Sequence, residues 1–250
     1  EADKLAYQRQ KLGVGDVVYR DWNSRIWQEG VYAQAEYQLL DKKLTLVLSG
    51  SANMNTYNRY ENFYVDADQS KSPTKSFFAG TIKGGVNYNI DRYNNVFING
   101  GYITRAPYLQ NGVFVAPVNS NAVNPDPRNE KVEAIELGYE FHSPKFTAQV
   151  NAYYTMWKDR TLVSTSTLEY DGERYSTTMN GVDSRYMGVE LNFKYIPTRW
   201  MEVDGMLTVA DNTWQNAPVG YYYNSQGQAL ASLGDRDTPW TTTTPLSPDH

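Results

Sequence analysis

A chain of 250 residues with 23 Lys plus Arg against 28 Asp plus Glu, a net charge of -5, has room for one large β domain or two small ones. That balance argues against nucleic acid as the main partner, because a phosphate backbone wants a basic face, and the absence of cysteine excludes disulfides, thiolate metal sites and thiol catalysis together. No apolar run approaches the roughly 18 residues of a spanning helix, and the opening EADKLAYQRQ has neither the basic nor the apolar segment of a signal peptide. The chain is therefore expected to be either soluble or a membrane β-barrel whose apolar residues are diluted by alternation, and to be a processed chain, a cytoplasmic protein or an excerpt of a longer one.

Apolar residues recur at a spacing of two, so the chain reads as nearly all β. A weak strand is expected over residues 12–19. From Trp27, the positions Trp27, Val31, Ala33, Ala35, Tyr37 and Leu39 share one face, opposite Gln28, Gln34, Glu36 and Gln38. After LDKK the pattern resumes with Leu44, Leu46, Leu48, Ala52 and Met54, opposite Thr45, Ser49, Ser51, Asn53 and Asn55. This unit, two long arms around a tight turn, recurs three times. Phe78, Ile82, Val86, Tyr88 and Ile90 lead through DRYNN to Val96, Ile98 and Tyr102, with Phe97 and Ile103 blurring the second arm. Ile135, Leu137, Tyr139 and Phe141 lead through HSPK to Phe146, Ala148, Val150, Ala152, Tyr154 and Met156. Met187, Val189, Leu191, Phe193 and Tyr195 lead through IPTR to Met201, Val203, Leu207 and Val209.

The connections between hairpins, over residues 57–77, 105–129, 159–184 and beyond 211, are expected to be long loops, a length that compact domains rarely use without a function. Short turns at one end and long loops at the other are the asymmetry of outer-membrane barrels. Strands of about 12 residues, at roughly 3.4 Å each and tilted near 45°, cover close to 30 Å along a membrane normal. Aromatics agree: Tyr37, Tyr88, Tyr139, Phe141, Phe146, Phe193 and Tyr195 lie near the short turns, and Trp27, Tyr102 and Tyr154 lie toward the long loops, as two interfacial belts would.

The stretch VNYNIDRYNNVFINGGYITRAPY, followed after a loop by NPDPRNEKVEAIELGYEF, resembles the barrel of TonB-dependent outer-membrane transporters, especially the type found in Bacteroidota. In that family a strand often ends in aromatic-x-x-Arg-Ala-Pro, matched by Tyr102 to Pro107. The entry to the next strand is matched by Asn124, Pro125, Asp126, Glu130, Glu136, Leu137, Gly138 and Tyr139, while Pro127 and Arg128 depart from the pattern. The resemblance implies an antiparallel transmembrane β-barrel of 22 strands around a plug, importing scarce nutrients such as a glycan, siderophore or cobalamin. Its implied partners are outer-membrane lipid, the TonB energy-coupling complex and a surface lipoprotein. This chain is expected to supply about eight of the strands, all 250 residues belonging to one barrel domain whose plug and TonB-contacting segment lie outside it.

Catalytic chemistry has little to stand on, because His142 and His250 are the only histidines. No catalytic residue, metal or cofactor is expected. Tyr57, Arg59, Tyr60, Phe63 and Tyr64 in one connection, and Trp214, Tyr221, Tyr222 and Tyr223 in another, form two aromatic groups beside Arg, Asn and Gln. Such groups stack on a sugar or chelate and bond its rim, or else pack the loops together. Asp66 and Asp68 are too few for a calcium loop, and Arg105 reads as a loop anchor at a strand end ahead of a ladder-ending proline. Alternating Glu136 and Glu140 read as a water-facing lining. Two other readings stay open on the residues alone: a passive or adhesive outer-membrane barrel, and a soluble all-β carbohydrate-binding module.

Overall fold

The computed structural model describes residues 13, 21–115, 120–170, 172–216 and 219–224, and the period-2 pattern becomes strand along most of them. β1 (Trp22–Leu39) and β2 (Leu44–Glu61) form a hairpin, as do β3 (Lys75–Asn89) with β4 (Asn94–Arg105), β5 (Glu130–His142) with β6 (Phe146–Tyr170), and β7 (Glu173–Thr198) with β8 (Met201–Trp214). A short β9 (Val219–Tyr223) follows. Each strand pairs antiparallel with its sequence neighbour in one sheet, β9 lying on β7. No pairing joins β1 to β8 among the described residues, so the sheet is an open section of wall. The strand expected over residues 12–19 lies, apart from Gly13, outside the described residues.

Residues paired across strands share a face, so the registers carry each face across the whole sheet. One row runs through Leu39, Leu44, Tyr88, Val96, Tyr139, Val150, Leu191 and Leu207. The next runs through Tyr37, Leu46, Val86, Ile98, Leu137, Ala152, Val189 and Val209. Neither row contains a polar side chain apart from the hydroxyl tips of Tyr37, Tyr88 and Tyr139. These side chains are not covered by protein: Leu137 is 58% exposed, Leu207 62% and Val209 68%. A continuous, uncovered apolar band of this extent is stable only against another apolar phase.

Toward the long connections the same face becomes charged. Lys158 pairs with Glu133 at 2.9 Å and Arg185 with Asp211 at 2.8 Å, while β1 to β3 at comparable row positions still carry Val31, Ala52 and Ile82. The boundary thus runs obliquely across the hydrogen-bonded rows, as it must when tilted strands cross a flat slab.

The opposite face is polar, with Gln34, Glu36, Gln38, Thr45, Ser49, Asn87, Asn95, Glu136, Glu140, Asn151, Glu190 and Asn192 along it. Phe97 belongs to this polar face, which explains the blurred alternation of β4. Its ring lies over Gly138, where a Cβ would sit 2.2 Å from Phe97 Cζ, so the ring takes the place of the missing side chain.

The first three short turns fall at the expected places, while the fourth, expected over IPTR, lies at Arg199 and Trp200 because β7 continues to Thr198 and pairs it with Met201. The first puts Leu40, Asp41 and Lys42 at φ of 52°, 54° and 69°. In the second, Asp91 Oδ1 accepts from the Tyr93 N–H at 2.7 Å and the Asn94 N–H at 2.9 Å, and these bonds hold the Asp91 carboxyl below its usual range.

Two expectations need correction. Residues 159–184 are not a loop: β6 and β7, 25 and 26 residues long, pair with each other from Phe146↔Tyr195 up to Tyr170↔Glu173. Residues 57–61 likewise belong to β2, because the β1 register continues to Trp22↔Glu61. Where the tall hairpin leaves the apolar band, three irregularities line up. β6 bulges between Trp157 and Arg160, with Asp159 at φ 57°. β7 bends at Gly181, φ 72°. The strand alongside it breaks between β8 and β9, and Asn216 bridges the break, accepting from the Asp183 N–H at 2.9 Å and donating to the Gly181 carbonyl at 2.7 Å.

Candidate functional site

The long-connection end of the polar face is where the chain concentrates packed aromatics, arginines and buried polar groups. Tyr57, Ala106, Val113 and Phe114 form a buried cluster with Phe77, Leu109 and Val123 against it. Arg59, 2% exposed, lies with its Cζ 4.8 Å from the Phe114 ring centroid and donates Nε to Asn121 Oδ1 at 3.4 Å. Burial pulls the Arg59 guanidinium down to about 10, partly offset by the nearby Glu61 carboxylate. Glu61, fully buried, accepts from the Phe63 and Tyr64 N–H groups at 2.8 and 3.1 Å and so fixes the chain as it leaves β2. Asn121 in turn donates to the Gln69 and Ser70 carbonyls, clamping the 62–74 connection to the 106–129 connection.

This is a cap with its own core, and it decides where the first aromatic group lies. Tyr57, Arg59 and Phe63 are buried inside it, whereas Tyr60 and Tyr64 are half-exposed. In the second group, Trp214 closes β8 opposite Ser184, and Tyr221 and Tyr223 stack at 6.4 Å on β9. Tyr223 is 4% exposed, and burial pushes its hydroxyl up to about 12; Tyr221 and Tyr222 are half-buried. The first group thus spans the end of β2 and the connection after it, and the second spans strands β8 and β9, rather than two loops. No described contact joins the two groups.

Between them on the polar face lies a cluster built on Arg105, whose other members, Trp157, Asp159 and Arg160, the sequence did not single out. Arg105 forms an ion pair with Glu130, which is 4% exposed and also accepts from Trp157 Nε1 at 3.2 Å. The Arg105 Cζ sits 4.7 Å from the Tyr108 centroid and 5.5 Å from Trp157, so the strand-end arginine does anchor the following connection. Arg160 stacks on the same indole at 4.3 Å. Behind it, Asp159 takes Lys131 Nζ at 2.7 Å and Arg128 at 3.2 Å. Burial raises the Asp159 carboxyl, but those two cations outweigh it and hold the group below its usual range. The Arg-Ala-Pro segment pointed to Arg105 alone; Trp157 and Arg160 stand some fifty residues further on, in the TMWKDR stretch at residues 155–160.

Below the cluster the polar face cups a cleft of about 770 Å³ lined by Ser49, Lys83, Asn99, Glu136, Tyr153 and Glu190 among others. Gly84 pairs with Gly100 across β3 and β4, while the Asn99 and Lys83 side chains lie against Gly85 and Gly101, their cross-strand partners. Elsewhere, His142 Nδ1 contacts Thr147 Oγ1 at 3.0 Å at the short-turn end, and His250 lies outside the described residues. Among the described residues there is no group of three or more His, Cys, Asp or Glu suited to a metal ion.

A family model described as TonB dependent receptor-like, beta-barrel, matches residues 3–250. The chain belongs to this family. It is therefore a TonB-dependent receptor barrel chain of the bacterial outer membrane, with the apolar rows turned to lipid, the polar face to the lumen and the long connections outward. Two solved structures show the same fold. "Copper transporter OprC" superposes with a TM-score of 0.62 at 16% identity, covering 80% of this chain and 32% of that one. "The FrpB iron transporter from Neisseria meningitidis (F3-3 variant)" superposes with a TM-score of 0.51 at 13% identity, covering 85% of this chain and 29% of that one. The receptor chain thus spans about a third of the length of these relatives. No curated protein matches it by sequence.

Proposed function

We propose that residues 1–250 are one section of the wall of an energised outer-membrane importer, with a plug and a TonB-contacting segment elsewhere in the complete protein. The observation that carries this reading is the pair of uninterrupted apolar rows across eight strands, backed by a polar lumen face with a cleft of about 770 Å³. Such a wall conducts and selects; it performs no reaction on its cargo. The two structural relatives are named as metal transporters, and nutrient import is the activity we carry to this chain. Ligand contact is assigned to the partly exposed members of the two aromatic groups, Tyr60, Tyr64, Trp214, Tyr221 and Tyr222. Tyr57, Arg59, Phe63 and Tyr223 hold the surfaces that present them. A surface lipoprotein seated on the outward connections is part of the same proposal.

The test is uptake by cells with and without the complete protein, each with and without functional TonB. Across a panel of iron chelates, cobalamin and oligosaccharides, one nutrient is expected to be lost on deletion of either component. Uptake that needs the barrel and persists without TonB would point to a passive pore instead. No nutrient dependence, with surface attachment lost, would point to an adhesin.

A further inference from the structure

We infer that Arg160, stacked on Trp157 at the outer mouth of the lumen, is the recognition point for an oxyanion, a carboxylate or phosphate group carried by the imported solute. The inference rests on the importer reading above and names the chemistry of its cargo.

Three observations converge on it. First, residues three apart on a regular strand point to opposite faces, yet Trp157 and Arg160 meet with the guanidinium carbon 4.3 Å from the indole centroid. The bulge at Lys158 and Asp159 makes this meeting by inserting the extra residue that turns Arg160 to the lumen side. The bulge is itself held, by the Asp159 N–H to Asp183 Oδ1 at 2.9 Å and by Lys131 and Arg128 on the Asp159 carboxylate.

Second, the cation so placed has only neutral partners among the described residues. Arg160 Nη1 donates to Tyr186 Oη at 3.1 Å and to Ser184 Oγ at 3.4 Å, and no carboxylate lies in ion-pair range. By contrast Arg105, Arg128 and Arg185 each have one. The acids around Arg160 are engaged already: Glu130 by Arg105 and Trp157, Asp159 by its two cations, Asp183 by the Asp159 N–H. Both hydroxyl partners bond the same nitrogen, so the other edge of the fork keeps donors for the parallel, two-point contact that guanidinium makes with a carboxylate or phosphate.

Third, the position lies on the route inward. Tyr186 pairs with Thr155, and Thr155 lines the cleft below. The cleft itself carries one cation, Lys83, and two carboxylates, Glu136 and Glu190, so Arg160 is the cation that stands ahead of them at the mouth.

The experiment uses the complete protein, purified in detergent, titrated with citrate and separately with inorganic phosphate. Binding is followed by calorimetry and by Trp157 emission, taken as the difference from a Trp157→Phe variant. One of the two probes is expected to bind saturably and to change that emission, and which one does so tells a carboxylate cargo from a phosphate cargo. Arg160→Gln should weaken binding tenfold or more, a loss typical of a removed charge-assisted hydrogen bond, and Arg160→Lys should restore part of it. Arg92→Gln, an arginine stacked on Tyr93 at the short-turn end, should change nothing. No saturable binding of either probe, or equal affinity for wild type and Arg160→Gln, would overturn the inference. Folding of each variant is checked by its heat-dependent electrophoretic mobility, and lipid-phase labelling at Leu46→Cys but not at Ser49→Cys checks the wall itself. Loss of that labelling contrast would refute the barrel-wall reading, whereas failed binding with the contrast intact refutes the oxyanion inference alone.

Discussion

Asn124 and Asn180, 56 residues apart, exchange amide hydrogen bonds in both directions, at 3.0 and 2.7 Å, in a buried site. Asn124 also donates to the Gly112 carbonyl at 3.0 Å and receives the Asp126 N–H at 3.1 Å, so one amide ties the 106–129 connection to β7 beside its Gly181 bend. Asn124→Ala leaves the buried Asn180 Nδ2 without its acceptor and is expected to cost about 1–3 kcal/mol, more than Asn180→Ala, because Asn124 keeps the Gly112 carbonyl and the Asp126 N–H. The double variant should cost less than the sum, because the second change removes the stranded group. Denaturant unfolding of the four proteins in detergent checks this; additive losses would mean the pair does not act as a unit.

The lipid and lumen assignments predict unequal responses to charge. Leu46→Arg, in the second apolar row, should destabilise the folded barrel by about 2–4 kcal/mol, while Ser49→Arg on the polar face should be mild. Folding titrations into lipid vesicles measure both, and similar losses at the two sites would contradict the facing derived from the registers.

Gly138 is expected to accept no side chain while Phe97 lies over it. Gly138→Ala puts a Cβ 2.2 Å from Phe97 Cζ and 2.7 Å from Asn151 Oδ1, an overlap expected to cost about 1–3 kcal/mol. Adding Phe97→Leu should recover part of that loss, as read by the denaturant midpoint; no recovery would mean that the backbone, rather than the ring, forbids the substitution.

The base of the tall β6–β7 hairpin should loosen in acid. Asp159 has a native carboxyl value below its unfolded one, so its contribution is complete at neutral pH, starts to fall near the unfolded value of about 4, and is gone below the native value. Lys131 and Arg128 are about half exposed, which limits the effect to about 1 kcal/mol or less. Hydrogen exchange at residues 157–162 should quicken from pH 5 to pH 3 beyond its intrinsic dependence, and Asp159→Asn should abolish that excess.

How much of this was legible in the sequence depends on which force set each element. The four short-turn hairpins were legible because lipid on one face and water on the other impose strict alternation, and Leu44, Leu46 and Leu48 against Thr45 and Ser49 can satisfy both only as a strand. Above the membrane that demand ends. The upper halves of β6 and β7 are rich in Ser and Thr, with apolar residues such as Tyr175 and Met179 too sparse to hold a period of two, so they read as loop, although Asp-Gly at 171–172 was a hairpin signal, and Gly172 takes φ 74°. Arg105 was legible as an anchor from its place before Ala-Pro. Its partner Trp157 and neighbour Arg160 were not, because a bulge moves residues between faces without leaving a pattern that alternation can show. Tyr57 and Arg59 looked like open loop groups because nothing local tells an exposed aromatic from one that Phe114 will cover.

The three aligned irregularities, at Asp159, at Gly181 and between β8 and β9, have a consequence for how such a protein changes over time. Each resets the pairing register, so insertions, deletions or wholesale exchange of residues 160–181 end at a joint and do not propagate a one-residue slip into the strands beneath. The outer extension is thus a head that can be exchanged above the joint while the part that must match the bilayer stays in register.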